Sequence, residues 1–593
     1  MLLLWYLWPF VAKGARFPLG PDAPVYLWWT RLAGVDGLSA VDRPGVPALT
    51  LVLQGTLGLS VVQATAALEV VLGAAIGLAS VALVRRSTTA WGAALAGLLA
   101  GTFAVHLAAG YVATLTMAAA LLAAATLLDD PRLRAAVLAA LVLAGGGLAH
   151  PDFLWLSVAI VLVAAAAAWR SERSEALRMA GAAAGGGAVL GLGLLAVRPG
   201  APRLDVDTSK DAFLRRAGLG SELRSAYFDR FVHRWTRYVQ WVSVPLAIAG
   251  FGAGRGNPGR ILRAWFVVTF VGTAGALLTG WLPADRFVTF GFAVPILSAL
   301  GLMWVWRRLE NHRALAYAAI GVLTFLMVGG SAIAWNRQEP FMSEQEVRAI
   351  TAANRYVAGV APGGAYVFVV NGEGPELSFL ATRAANVIRA GMPPSRVRGV
   401  FVYVPPPAPG AEASATRRAL TRLTRRDLMQ AGLGGSLTPR DVGFVLKPFN
   451  AVDYGTDAFA PSAEIGPGAR LIAPRGIVRP AVAPVDPLEP ASAREVVWGS
   501  IATLALLCVV GFGWARIGLG DPVRAVAISP AVGAAALILV AVALDALGIS
   551  LGSTGGAVAA SVLAGGGGYL VGLVLQRRAR THPAPQVEQQ PAE

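Results

Sequence analysis

"ATAALEVVLGAAIGLASVALVRR", residues 64–86, carries one acid in an otherwise apolar run and then stops on two arginines. About 20 such residues in a helix cross a hydrocarbon core of about 30 Å. In lipid only a helix or a closed barrel satisfies every backbone N–H and C=O, so this run predicts a membrane helix. The apolar stretch begins earlier, at residue 47, which is too long for one crossing. Its first part, "PALTLVLQGTLGLS" (47–60), is expected to form a re-entrant or in-plane piece.

The same pattern recurs along all 593 residues, 55% of which are hydrophobic and only 14% charged. Further apolar runs lie near 1–12, 88–108, 111–128, 133–149, 153–169, 178–197, 239–254, 262–282, 287–306, 314–335, 495–515, 524–546 and 554–576. With 47–84 they make roughly fourteen crossings. The opening "MLLLWYLWPFV" has no basic start and no small-residue cleavage site, and reads as the outer part of a first helix whose start lies upstream. The expected fold class is an α-helical polytopic membrane protein with about 12–14 transmembrane helices.

The formal net charge of +16 is carried by arginines at the ends of apolar runs, where they fix orientation rather than bind nucleic acid. Arginines at 85–86, 132–134, 170–178, 255–263, 307–313, 516–524 and 577–580 fall in alternate connections, all on one side. By the positive-inside rule that side is the cytoplasm, which also holds both termini. A lone cysteine, Cys508, excludes an intrachain disulfide or a cysteine metal site. The Ala-, Gly- and Arg-rich composition points to a bacterial plasma membrane.

Residues 336–494 differ in kind. Apolar runs of five to seven residues, "AYVFVV" and "GVFVYV", alternate with helix-like stretches, "EQEVRAITAANRYVAG" and "ATRRALTRLTRRDLMQAG". That alternation predicts an inserted extracytoplasmic α/β domain. The expected organisation is a membrane domain over 1–335, the α/β domain over 336–494, membrane helices over 495–580 and a disordered tail over 581–593. The glycine-bearing "VVNGEGPE" (369–376) lacks the spacing of a nucleotide loop. "GGG" at 145–147 and "GGGG" at 565–568 lie in apolar runs and suit close helix packing.

Polar residues then stand out on the outer side. In "GPDAPVYLWWTRLAG" (20–34), Asp22 is an acid beside the bilayer, and Tyr26, Trp28 and Trp29 suit an aromatic anchor in the headgroup layer. In "GLAHPDFLWL" (147–156), His150 is open to a role as a titrating group oriented by Asp152, or as an ordinary turn residue. Asp152 is equally placed to cap the helix that follows. In "PADRFVTFGFAVPI" (283–296), Asp285 can cap the next helix, while Arg286 sits where the positive-inside rule would not put it and suits a phosphate. The charged loop 198–237 adds Asp205, Asp207, Asp211, Arg215, Arg216, Tyr227, Asp229, Arg230 and His233. Two acids, Glu69 and Asp545, fall inside apolar runs, where such groups are functional candidates.

An acid in the loop after the first helix, many alternating crossings and a late α/β domain resemble the GT-C superfamily of polytopic glycosyltransferases. That superfamily includes the protein O-mannosyltransferases and aminoarabinose transferases. The resemblance covers about residues 1–335 and rests locally on "GPDAPVYLWWTRLAG", "LAHPDF" and "ADRFVTFGFAVPI". It implies a polyprenyl-phosphate sugar donor, Asp22 as general base toward the acceptor hydroxyl, and Arg286 with a loop arginine, Arg215 or Arg216, on the donor phosphate. His150 and Asp152 complete the expected site. The first loop shows neither adjacent acids nor an acid-x-acid pair, so a divalent cation and no metal at all both stay open. The function expected is sugar transfer to an envelope acceptor on the extracytoplasmic face. A lipid-intermediate flippase with a polar path through Glu69, and a non-catalytic scaffold for envelope assembly, are the rival readings.

Overall fold

The computed structural model describes residues 1–198 (except 21 and 109), 215–344 (except 281, 282 and 341) and 488–581. Between 345 and 487 it describes 347, 351, 365–370, 390–391, 397–403, 412, 414–430, 444–447, 459–464 and 470–474. Asp205, Asp207, Asp211, the turn 371–376, most of the segment 344–359 and the tail 582–593 lie outside the described residues.

Among the described residues nine helices are long and apolar enough to cross a membrane: Val61–Val84, Ala90–Ala108, Pro151–Ala168, Arg173–Val197, Gly256–Thr279, Arg313–Asn336, Ala493–Gly518, Pro522–Ala546 and Thr554–Arg577. The chain is a multi-pass helical membrane protein. The other five runs form shorter helices: Leu2–Ala12, Val112–Leu127, Leu133–Ala149, Ser243–Gly250 and the pair Ala284–Thr289 and Ala293–Arg308. Hydropathy does not separate these from crossings, because a helix packed on all sides by other helices is apolar all round as well. Every residue of Val112–Leu127 is buried.

The overlong run divides where its backbone chemistry dictates. Gly58 takes a left-handed conformation (φ +68°) that ends the helix Gly45–Leu57, and Ser60 with Gln63 makes a capping box that starts Val61–Val84. At 13 residues, Gly45–Leu57 reaches only about 20 Å. Its start packs against the backbone of Ala149, and Thr56 near its end donates to the Ala557 carbonyl (3.2 Å). The glycines at 145–147 do serve packing: Gly145 abuts the Ala535 backbone and Gly146 abuts Met117.

The arginine-bearing connections meet at one end of the bundle. Asp129 pairs with Arg86 (3.1 Å) and Arg524 (2.8 Å), Asp130 with Arg132 (2.6 Å), and Glu172 with Arg260 (2.6 Å). Arg524, fully buried, also donates to the carbonyls of Ala82 (3.0 Å) and Thr126 (3.3 Å). These are among the last carbonyls of two helices, which lack partners within their own helix.

Between 337 and 491 the described residues include five strands and one helix, Ala415–Gln430. β1 (Ala365–Val370) pairs in parallel with β2 (Val397–Tyr403) and β3 (Phe444–Lys447). β5 (Arg470–Pro474) runs antiparallel to β3 and to β4 (Phe459–Glu464), giving the order β2-β1-β3-β5-β4.

Candidate functional site

The first loop is pinned at both ends by the two acids that sit inside apolar runs. Glu69 Oε2 accepts a hydrogen bond from the Leu19 N–H (3.0 Å), and Asp545 Oδ2 accepts one from the Leu38 N–H (3.1 Å). The Ala491 N–H adds a bond to the Arg16 carbonyl (2.8 Å), and Arg16 pairs with Glu344 (2.7 Å). From another side Gly110, at φ +94°, approaches so closely that a Cβ there would sit 2.9 Å from the Leu19 carbonyl oxygen and 3.1 Å from the Asp22 nitrogen. Only glycine fits that approach. Both intramembrane acids thus brace a loop.

Asp22 heads the helix Ala23–Asp36 but its side chain does not cap it. Among the described residues its carboxylate makes no hydrogen bond or ion pair, although Arg43, Arg286 and Arg234 all act on it electrostatically. Burial lifts its pKa from 3.8 to about 6, against the downward pull of the three guanidinium groups. A carboxylate in this range is ionised at neutral pH and still basic enough to take a proton.

His150 and Asp152 are joined to this group by an arginine that sequence reasoning missed. Arg43 places Nη1 3.2 Å from His150 Nε2 and Nη2 3.5 Å from Asp152 Oδ2. Arg286 Nη1 approaches the same Asp152 oxygen at 3.6 Å. Asp152 caps nothing, since the helix Pro151–Ala168 starts without a side-chain cap. Nor does Asp152 orient His150, because Arg43 stands between them. Burial first, then the charges of Arg43 and Arg286, hold the His150 pKa well below its ordinary range. Phe153 stacks on Phe290 (4.7 Å between centroids), fastening the 150–153 turn to the end of the short helix Ala284–Thr289 that carries Arg286.

Asp285 also departs from its expected role. It is buried and pairs with Arg234 (3.3 Å) and Arg230 (3.9 Å) instead of capping a helix that Pro283 already starts. Arg234 in turn donates to the Tyr111 hydroxyl (3.3 Å).

The structure therefore brings Asp22, His150, Asp152 and Arg286 together, with Arg43, Arg234 and Tyr111 added. The missed Arg43 carried the same signal as Arg286, an arginine in a connection that the arginine pattern of the sequence leads one to expect on the outer side. Arg215 and Arg216 go elsewhere: Arg215 donates to the Tyr227 hydroxyl (3.0 Å) and Arg216 pairs with Asp427. The aromatic anchor is corrected in part. Tyr26 is buried, edge-on to Trp29 (6.0 Å), while Trp28 and Trp29 are partly buried against the protein core. The helix that carries them packs on Gly45–Leu57 and Val61–Val84, so its aromatic face meets protein. Among the described residues no three His, Cys, Asp or Glu side chains are grouped closely enough to hold a metal ion.

No protein-family model matches the chain, and no curated protein matches it in sequence.

Proposed function

We propose that the protein is a membrane glycosyltransferase of the GT-C type, moving a sugar from a polyprenyl-phosphate donor to an envelope acceptor at the outer face of a bacterial plasma membrane. One observation carries this reading. An acid with no ion pair of its own lies among three arginines drawn from distant parts of the chain.

Asp22 takes the proton of the acceptor hydroxyl, whose oxygen forms the new bond to the anomeric carbon. The bond from that carbon to the phosphate oxygen breaks, and the leaving polyprenyl phosphate keeps the electron pair. Negative charge then grows on the phosphate, where Arg286 and Arg43 can each present a donor fork. Their shared partner Asp152 is exposed and held at 3.5–3.6 Å, a loose arrangement that a phosphate oxygen can replace. His150, kept neutral, accepts from Arg43 and positions it.

In this reading the arginine-lined end is cytoplasmic with both termini, and residues 336–494 form the extracytoplasmic α/β domain next to the site. The flippase reading draws less support, because Glu69 is buried with one oxygen on the Leu19 backbone rather than lining a polar path.

The test is transfer in vesicles: purified protein reconstituted with cell-derived polyprenyl-phosphate sugars, with labelled product followed. Wild type should consume the donor and Asp22→Asn should not. Equal turnover by the two would end the proposal.

A further inference from the structure

The ion pair between Arg216 and Asp427 ties the helix Ala415–Gln430 to the residues that lead into helix Gly220–Arg234. The tethered helix, "ATRRALTRLTRRDLMQ", holds five arginines and one acid. Its faces are unequal. Ala419, Leu420, Leu423, Thr424 and Asp427 are buried, whereas Arg422, Arg425, Arg426 and Met429 are exposed. Spacings of three and four put the exposed arginines on one stripe. The single acid is occupied by Arg216, and among the described residues none of Arg422, Arg425 and Arg426 forms an ion pair. Like charges at such spacing repel, so the stripe is an arrangement that an external anion would relieve.

The helix that bears the stripe is tied toward the site through its buried Asp427. Arg215 donates to the Tyr227 hydroxyl (3.0 Å), Arg230 lies over the Tyr227 ring (5.1 Å), and Arg230 and Arg234 flank Asp285. Cationic side chains thus continue from the helix toward Asp22. An interfacial helix would lay its apolar face in lipid. Here that face, Leu420 and Leu423, is buried in protein, which leaves the arginines to meet a soluble partner.

We propose that Arg422, Arg425 and Arg426 bind a linear polyanion, carboxylated or phosphodiester-linked, and hold it as the acceptor beside the Asp22 site. The acceptor role rests on the transferase reading above, but the binding does not. Multiple arginine contacts to such a polymer make affinity fall steeply with salt.

The experiment measures binding of polygalacturonate fragments, poly(glycerol phosphate) and neutral dextran to the full-length protein in neutral detergent. The first two separate carboxylate from phosphodiester recognition. Phosphatidylcholine vesicles doped with phosphatidylglycerol form a further arm. At least one anionic polymer should bind while dextran does not. The triple variant R422Q/R425Q/R426Q should lose at least about tenfold in affinity, with a shallower salt dependence. The corresponding triple lysine variant, which keeps the charge, should retain most of the binding. Asp22→Asn should bind the polymer like wild type whether or not it transfers sugar, so a failure of the transferase reading is seen separately. The proposal is overturned if the glutamine variant binds as tightly as wild type, or if only the vesicles bind.

Discussion

Arg43 Nη1 lies 3.2 Å from His150 Nε2, and a guanidinium can only donate. The contact therefore calls for a neutral imidazole with its lone pair on Nε2, in keeping with the depressed pKa of His150. His150 is a support for Arg43 rather than the group that carries a proton near neutral pH. In the proposed transferase that duty falls to Asp22.

If the protein transfers sugar as proposed, the pH profile of that reaction follows from this division. A base with a pKa of about 6 must lose its proton to act, so the rate should climb as pH rises through about 6 and then level off. Asp22→Asn should lower kcat by about a hundredfold or more and remove that limb. His150→Gln, which keeps an acceptor for Arg43, should leave the limb in place. A limb that moves with His150 rather than Asp22 would reverse the assignment.

Asp22 should also shape stability. Its folded-state pKa is raised above 3.8, so between 3.8 and about 6 the folded chain binds more protons than the unfolded one. Stability therefore falls as pH rises through that window. Asp22→Asn should raise the thermal midpoint at pH 7, and the gain should vanish below pH 3.8, as differential scanning fluorimetry in detergent can check.

Arg286 and Arg215 give a contrasting pair. Arg286→Ala should cost about 10²–10³ in kcat if it steadies the departing phosphate. Arg215 lies on Tyr227 and not on Asp152, so Arg215→Ala should leave transfer close to wild type. Equal losses in the two variants would mean that the phosphate site has been misplaced.

Glu69→Gln keeps an oxygen that can accept from the Leu19 N–H and should preserve both folding and activity. Glu69→Ala leaves that buried N–H unpaired and should cost about 1–3 kcal/mol. If the glutamine variant stops a transport activity while the loop stays in place, Glu69 belongs to a polar path after all.

At the arginine-bearing end of the bundle, Arg524→Ala leaves Asp129 with Arg86 as its remaining partner and frees two helix-end carbonyls. Leaving those buried carbonyls unpaired should cost about 1–3 kcal/mol, read as a drop in thermal midpoint with little change in the pH profile of the protein that remains folded.

The sequence by itself determined the membrane class, the need to divide the overlong run 47–84, and the arginine-marked ends of the apolar runs. Those features follow from local rules: hydrocarbon thickness and the distribution of positive charge. It also singled out Asp22, His150, Asp152 and Arg286, because each is a polar residue that lipid alone would not retain. Tertiary structure decided the rest. Five apolar runs became short helices, and in one of them, Val112–Leu127, neighbouring helices bury every residue. Glu69 and Asp545 became braces for a loop some fifty and five hundred residues away, and Arg43 became the link between His150 and Asp152. An ion pair or a backbone hydrogen bond acts over about 3–4 Å in space and is indifferent to separation along the chain. Only folding could choose which guanidinium each carboxylate would meet.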